Sequence, residues 1–241
     1  VGKQGSHQQL NDHHFHYGYF VRAAAEICRV EPAWCGEAQY GPMIELLIRD
    51  YAADREDPLF PYLRHFDPAN GFSWASGAVN FALGNNNEST SEASNAYGAM
   101  ILYGLTTGNE DIVTRGIYLH ASTSAAYWEY WNNLDRYRDE PAEYDNFPSG
   151  YDKLTTSIIW GQGAVFSTWF SPAPAHILGI QGLPANPLML HVGLHADYMA
   201  DYVTLGLSES SNGKPSGLAD DQWRDLWWCL WALTDADAAL E

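Results

Sequence analysis

The clearest pattern along the chain is a series of apolar side chains at helical spacing. One helix face is marked by apolar residues that recur four positions apart: Phe15, Tyr19, Ala23 and Ile27. Asp12 comes just before this run and belongs to a residue type that favours the N-cap. The pattern therefore predicts a helix over residues 13–28. Further helices are predicted over residues 42–53, 90–103, 110–131, 197–204 and 220–233.

A long polar stretch separates the second predicted helix from the third. Residues 57–87 are interrupted by prolines and glycines, and a loop of this length in a compact domain is usually functional. The alternation that is typical of strands is scarce, and no internal repeat of fixed period is found. The sequence therefore predicts an all-α domain in which paired helices form a toroid with long active-site loops at one end.

Charge and composition narrow the classes of partner. The 241 residues are expected to form one domain, with a net charge of −18. Nucleic acid and anionic membrane surfaces are disfavoured as partners, because they are bound mainly through Lys and Arg. Ten Trp, fifteen Tyr and nine Phe offer flat apolar faces to sugars, although most of these rings are also expected in the core.

The cysteines and the hydropathy say little about location. Cys28 and Cys35 could close a short loop through a disulfide in an exported protein, and Cys229 is left over. No stretch has the length of a transmembrane helix. Residues 1–7 carry no recognisable signal peptide.

Carboxylates stand at two predicted helix entrances, within residues 11–19 and 84–92. Ser89 and Glu92 have the spacing of a capping box, which gives Glu92 a structural task. Glu88 has no such task, and at the positive end of a helix it should stay ionised. An ionised carboxylate suits a general base that activates water. The alternative is that both glutamates are solvated loop acids.

Asp12 is ambiguous in a similar way. As an N-cap it would accept backbone hydrogen bonds, whereas as a general acid it would need a raised pKa. The rings of Phe15, Tyr17 and Tyr19 could supply the burial that raises it. Separated carboxylate sites with aromatic surroundings, and without a metal or phosphate motif, favour glycoside hydrolysis.

The histidines of the first run do not predict a metal site. His13, His14 and His16 lack the i, i+4 spacing with an intervening Glu that binds zinc. Hydrogen bonds to a sugar or to a catalytic carboxylate are the favoured interpretation. We therefore predict no metal and no cofactor.

The long loop carries a further polar cluster. Arg64, His65 and Asp67 could line a cleft, with Trp74 as a platform for a sugar ring. The alternative is an ordered loop that is held by its own hydrogen bonds.

Several runs of residues together match the motifs of one known family. The most specific are residues 11–19 and 84–92; the others are residues 60–64, 66–68, 73–77, 160–161, 168–171 and 179–184. In these runs, which extend over nearly the whole chain, the sequence resembles glycoside hydrolase family 81, the endo-β-1,3-glucanases or laminarinases.

The resemblance implies an (α/α)6 toroid, complete or incomplete, that cleaves β-1,3-glucan internally with inversion at the anomeric carbon. Asp12 matches the general acid and Glu88 the general base, with Glu92 as the other candidate for the base. A secreted enzyme whose ligand is a β-1,3-glucan polysaccharide or oligosaccharide is expected. The residues expected to bind this glucan are His16, Tyr19, His65, Asp67, Trp74, Asn86, Trp160 and Trp169.

One departure from the family pattern concerns the extent of the chain. The family has a β-sandwich domain and a linking domain before this region, and neither is found in the 241 residues. The first helices of the toroid are also expected to be missing. We therefore expect residues 1–241 to be the catalytic toroid domain of a larger enzyme, with residues 1–9 as a lead-in segment. The alternative is a non-catalytic β-glucan-binding remnant. A polysaccharide lyase on the same toroid is disfavoured, because the chain has only 12 Lys and Arg to meet a uronic acid.

Overall fold

Helices dominate residues 6–137 and 146–240, the part of the chain that this computed structural model describes. Every helix predicted from the sequence is present, with shifted ends. The helices are α1 (Ser6–Gln9), α2 (His13–Val30), α3 (Gly41–Ala52), α4 (Thr90–Thr107), α5 (Glu110–Ala126), α6 (Pro174–Gly179), α7 (Ala196–Gly206), α8 (Arg224–Ala232) and α9 (Ala236–Leu240). Short 3-10 helices lie at Pro32–Cys35, Asp135–Tyr137, Pro187–Gly193 and Pro215–Gly217.

For two of the predicted helices, the structure shows why an end is shifted. The helix predicted over residues 110–131 is α-helical only to Ala126 and continues as a π-helical turn over Tyr127–Trp131. This turn buries Trp131, whose Nε1 donates to the Ser157 carbonyl at 3.3 Å. The helix predicted from residue 220 begins only at Arg224, because the preceding residue has a positive φ of 52° that no helix continues through.

Two small antiparallel sheets are formed from the loops. Strand β1 (Phe66–Asp67) pairs with β2 (Phe72–Ser73), with Phe66 opposite Ser73. Strand β4 (Ile158–Trp160) is the centre of the second sheet, between β3 (Asn86–Asn87) and β5 (Gly163–Val165). The predicted loop 57–87 therefore contains three short strands, and β3 leads directly into Glu88.

Helices α2 and α4 pack closely together and begin at the same end of the fold. A Cβ atom on Gly18 would lie 2.5 Å from the Cβ of Ala96, so the two backbones approach where no side chain fits. Near the beginning of both helices, the Tyr19 hydroxyl donates to Glu92 at 2.9 Å. Asp12 and Glu88, which precede these helices, are therefore carried to the same end.

The interior consists of two clusters of buried side chains. The first core joins helices α2, α3 and α4, with Val21, Ile48 and Met100 among its members. The second core surrounds the π-helical turn and helices α6 to α8, with Trp131 and Trp227 among its members. The loops between helices bring these cores together.

A disulfide crosslinks the end of α2 to the segment that follows it. Cys28, near the end of α2, is bonded to Cys35 in a disulfide with a Cα–Cα distance of 5.7 Å, which answers the question that the sequence left open. Cys229 is exposed and free. Among the described helices, none combines the length and the apolar character that crossing a bilayer requires.

Candidate active site

A cavity of about 590 Å³ opens at the end of the fold where α2 and α4 begin. It contains the three carboxylates that the sequence singled out, Asp12, Glu88 and Glu92. No Lys or Arg side chain lines it within the described part of the chain. The other lining residues are Gln9, Asn11, Phe15, His16, Ala75, Ser76, Phe81, Asn86, Ser89, Trp169 and Phe170.

Asp12 precedes α2 but does not cap it. Its backbone is left-handed, with φ of 59°, and its side chain makes no capping hydrogen bond. Instead, the Asp12 N–H donates to the Ala75 carbonyl at 2.8 Å, and Asn11 Nδ2 donates to Asp12 Oδ2 at 2.7 Å. Burial raises the pKa of Asp12, although His16 and Asn11 oppose the effect. The expected N-cap function of the Asp12 side chain is wrong, and its conflict with a raised pKa disappears.

Glu88 lies just outside α4, as predicted. Its Oε1 accepts a hydrogen bond from the Trp169 N–H at 3.3 Å, and this is the only hydrogen bond of the Glu88 carboxyl among the described residues. Burial raises the pKa of Glu88 to about 7, and the negative charge of Glu92 adds to this effect. The expectation that the helix start would keep Glu88 fully ionised is therefore wrong near neutral pH.

Glu92 takes part in only half of the predicted capping box. Ser89 is the N-cap, and its Oγ accepts from the Glu92 N–H at 3.2 Å. The reciprocal bond from the Ser89 N–H to Glu92 is not found among the described residues, and Glu92 Oε1 accepts from the Tyr19 hydroxyl instead. Burial raises the pKa of Glu92 to about 7, while the Tyr19 hydrogen bond opposes this.

The beginning of α4 is fixed to the segment that follows α6. The hydroxyls of Ser89 and Ser91 donate to the Ile180 carbonyl at 3.0 and 3.1 Å. Gln181 Oε1 accepts from Thr90 Oγ1 at 2.8 Å, and Gln181 Nε2 donates to the Glu88 carbonyl. These buried bonds hold both glutamates on a rigid base.

A second polar network lies behind the cavity. Ser73 Oγ lies 2.8 Å from His14 Nε2, and Asn87 Nδ2 donates to the same Oγ at 3.1 Å. His14 is in α2, next to the turn of Asp12, and Asn87 precedes Glu88. Through Ser73, the segment of Asp12 is therefore connected to the segment of Glu88.

Aromatic rings form one wall of the cavity. Phe81 and Trp169 line the cavity and Trp160 packs against both, with ring centroids 5.1 to 5.7 Å apart. Trp169 is 53% exposed, so its ring is open to a ligand. Exposed rings beside carboxylates are an arrangement that suits sugar binding.

The structure separates the predicted glucan-binding residues into three groups. The cavity is lined by His16, Asn86 and Trp169. Two others contact residues that line the cavity: Tyr19 contacts Glu92, and Trp160 contacts Phe81 and Trp169.

His65, Asp67 and Trp74 lie outside the cavity. His65 is 3% exposed, and its Nδ1 is 2.9 Å from the Trp74 carbonyl. Asp67 accepts from Trp74 Nε1 at 3.0 Å and from Asn70 Nδ2 at 2.7 Å. This geometry favours the alternative of an ordered loop held by its own hydrogen bonds, and sugar binding by these three residues stays a prediction.

Sequence reasoning missed several of the lining residues. Phe81 lies in the long loop without a motif around it, and only its three-dimensional contact with Trp169 brings it to the cavity. Phe170 and Ser76 lie in the runs 168–171 and 73–77, and their membership of these family motifs was the signal that could have identified them. Asn11 likewise lies in the recognised run 11–19. Gln9 comes to the cavity through the backbone turn before α2, which the sequence pattern did not predict.

One group of ligand-type side chains lies behind the cavity. His13, Asp50 and His65 place their ligand atoms within 4.8 Å of one another. The guanidinium of Arg64 donates to Asp50 Oδ1 and lies 2.9 Å from His13 Nδ1. Because a fixed cation at this place repels a metal ion, we assign no metal to the cluster.

Comparison with known proteins gives a consistent result. The family model for the glycosyl hydrolase family 81 C-terminal domain matches residues 5–241. Proteins named glucan endo-1,3-beta-D-glucosidase are 41% identical in Acetivibrio thermocellus and 38% identical in Thermobifida fusca, each over 98% of this chain. The chain spans 29% of the length of either relative.

A solved structure agrees with these sequence relatives. A mutant of glycoside hydrolase family 81 from Clostridium thermocellum matches with a TM-score of 0.88 and 39% sequence identity, over 98% of this chain and 31% of that chain. The mostly helical fold corresponds to the (α/α)6 toroid of the family, as expected from the sequence. The chain therefore belongs to glycoside hydrolase family 81, within the region of its C-terminal domain.

Proposed function

We propose that this chain carries the catalytic centre of a secreted endo-β-1,3-glucanase of the laminarinase type. The observation that carries the proposal is the presence of three partly buried carboxyls, Asp12, Glu88 and Glu92, in one cavity with an aromatic wall. Titratable groups that burial perturbs together are typical of active sites. The names of the relatives supply the substrate class, a β-1,3-linked glucan.

In the proposed mechanism, Asp12 is the general acid and Glu88 the general base. The protonated Asp12 donates its proton to the glycosidic oxygen as the bond to the anomeric carbon breaks. The ionised Glu88 takes a proton from a water that attacks that carbon from the opposite face, so the configuration inverts. A pKa of about 7 suits this base, because near neutral pH it is partly ionised and still accepts a proton readily.

Of the two glutamates, we assign the base to Glu88. The hydroxyl of Tyr19 already donates to the Glu92 carboxyl, and the cap of α4 fixes the Glu92 backbone through its N–H. Glu88 accepts one hydrogen bond at Oε1, which leaves Oε2 for the attacking water. The negative charge of Glu92 supports this function, because it raises the pKa of Glu88 and so makes Glu88 a stronger base.

The lining of the cavity favours a neutral substrate. A uronic acid would bring a carboxylate next to Asp12 and Glu88, with no lining Lys or Arg among the described residues to pair with it. A neutral glucan avoids this repulsion and offers apolar ring faces to Trp169. A lyase that acts on uronic acids is therefore disfavoured.

The test is hydrolysis of laminarin by the purified chain, with the anomer of the first product read by proton NMR. We expect α-configured product from wild type, and a loss of activity of at least about 1000-fold in Asp12→Asn and Glu88→Gln. Glu110→Gln, at the exposed start of α5, is the matched control and should remain active. Activity that survives in both cavity variants contradicts the proposal.

The second candidate is a non-catalytic β-glucan-binding domain. It is favoured by the exposed ring of Trp169 in the cavity wall, on which a glucan can stack without being cleaved. Retardation of the chain in a laminarin-containing gel, without new reducing ends after long incubation, would select it.

Secretion is part of the proposal and is supported by the disulfide. The Cys28–Cys35 bond joins the end of α2 to the following 3-10 helix. Disulfides of this kind persist in oxidising compartments and are rare in the cytosol.

A further inference from the structure

The backbone that carries Asp12 has a conformation that a chain of L-residues avoids. Leu10 has φ of 55° and Asp12 has φ of 59°, so two left-handed residues flank Asn11. For leucine this conformation is sterically unfavourable, and such a residue keeps it only where its surroundings hold it. The turn over residues 10–12 therefore needs external support.

Part of this support comes from hydrogen bonds to other residues of the same chain. Ser6 Oγ donates to the Asn11 carbonyl at 2.9 Å, and the Asp12 N–H donates to the Ala75 carbonyl. Further support comes from a side chain that is distant in sequence, since Arg64 Nη1 donates to the Leu10 carbonyl at 3.3 Å.

Arg64 joins this turn to two helices. Its Nε donates to the Asp50 backbone carbonyl in α3 at 3.0 Å, and its Nη2 donates to Asp50 Oδ1. The same Nη2 lies 2.9 Å from Nδ1 of His13, the first residue of α2. The Arg64 side chain, which is only 17% exposed, therefore contacts both Leu10 and His13, the residues on either side of the Asn11–Asp12 pair.

We propose that Arg64 is a positioning residue for Asp12: its planar fork fixes the left-handed turn and thereby aims the Asp12 carboxyl into the cavity. Arg64 is absent from the cavity lining, so it acts through Asp12. A lysine keeps the charge but has a single nitrogen, which cannot reach Leu10, Asp50 and His13 together. The inference rests on the proposed function, since it is there that Asp12 serves as the acid.

The kinetic test compares Arg64→Lys with Arg49→Lys. Arg49 forms a matched pair, because its Nε and Nη2 donate to Asp57 at 2.6 and 3.1 Å and it lies outside the cavity lining. We expect Arg64→Lys to lower kcat on laminarin by about 10- to 100-fold with KM nearly unchanged, because a displaced acid slows only the chemical step. Arg49→Lys should stay within about twofold of wild type.

An activated substrate separates positioning of the acid from a general loss of structure. A dinitrophenyl β-laminarioside has a leaving group that needs no proton, so the loss in Arg64→Lys should shrink to about threefold or less. An equal loss on both substrates, or an equal loss in Arg49→Lys, overturns the proposal. If Arg64→Lys does not fold, Asp50→Asn is the second variant, since it weakens the same link and keeps the arginine.

A second readout does not require activity. The pKa of the Asp12 carboxyl, followed by carbon-13 NMR, should fall toward its ordinary value in Arg64→Lys, because the relaxed turn exposes the carboxyl to water. It should not change in Arg49→Lys. An unchanged Asp12 pKa in folded Arg64→Lys overturns the inference. If wild type cleaves neither substrate, the proposed function fails, while the titration still decides on Arg64.

Discussion

Desolvation decides the state of the carboxyls at the level of single residues. From the sequence, Glu88 was expected to be ionised because it lies at the positive end of α4, an effect worth about 0.3–1 kcal/mol. The structure raises its pKa from 4.5 to about 7. At about 1.4 kcal/mol per pKa unit, burial outweighs the helix dipole by a wide margin. The sequence identified the residue, but its burial comes from distant segments such as Trp169.

The raised pKa values predict how stability depends on pH. Glu88 and Glu92 both have pKa values of about 7 in the folded state, above the ordinary glutamate value of 4.5. The folded state therefore binds these protons more tightly, and this contribution is full below about pH 4.5 and is lost as pH rises through 7. We expect the free energy of unfolding to fall by about 3 kcal/mol for each of these two groups between pH 4.5 and 8.

Denaturant titration at a series of pH values measures this dependence. The double variant Glu88→Gln with Glu92→Gln should show a flatter curve over the same interval, because glutamine does not titrate. Glu110→Gln, whose carboxylate is exposed, should keep the wild-type slope. A double variant that keeps the full slope would mean that other groups cause it.

At the level of elements, the contact between α2 and α4 sets the position of the site. Gly18 lies where a Cβ would come within 2.5 Å of Ala96 Cβ. We expect Gly18→Ala to destabilise the chain by about 1–3 kcal/mol, because the overpacked helices have to separate. The expected gain in helix propensity, about 0.5–1 kcal/mol, is smaller. Thermal and denaturant unfolding measure the difference.

A compensating substitution tests the cause. Ala96→Gly removes the methyl group that Gly18→Ala would meet but leaves the Ala96 Cα at 2.7 Å, so the double variant should recover part of the loss. The coupling free energy from this cycle should be at least about 1 kcal/mol. Additive effects would show that Gly18 matters for a reason other than this contact.

Helical periodicity predicted the elements well, and the loops poorly. The helix over residues 13–28 was identified because its apolar residues repeat on one face, and α2 indeed covers His13–Val30. The left-handed turn before it has no such periodicity. Strand β3, which places Glu88, has two residues and pairs with a partner some seventy residues later, so its sequence could not reveal it.

For the whole molecule, the sequence predicted the family and the toroid class, but not how two cores are joined. The recognised run 179–184 contains Gln181, whose function is visible only in three dimensions. Gln181 is 1% exposed, and its amide accepts from Thr90 and donates to the carbonyls of Glu88 and Ser157. It therefore connects the beginning of α4 to the second core at the position of the proposed base.

Gln181→Met should weaken both stability and catalysis. Methionine has a similar volume but leaves Thr90 and two carbonyls without their partner, and each unpaired buried group costs about 1–3 kcal/mol. We expect a loss of about 3 kcal/mol in unfolding free energy and faster hydrogen exchange at residues 88–92, with the amides of α2 unchanged. Gln222→Met is the control, since Gln222 bonds Glu209 and Ala219 at the surface. Faster exchange throughout α2 as well would show that Gln181 stabilises the fold generally and does not specifically hold the base.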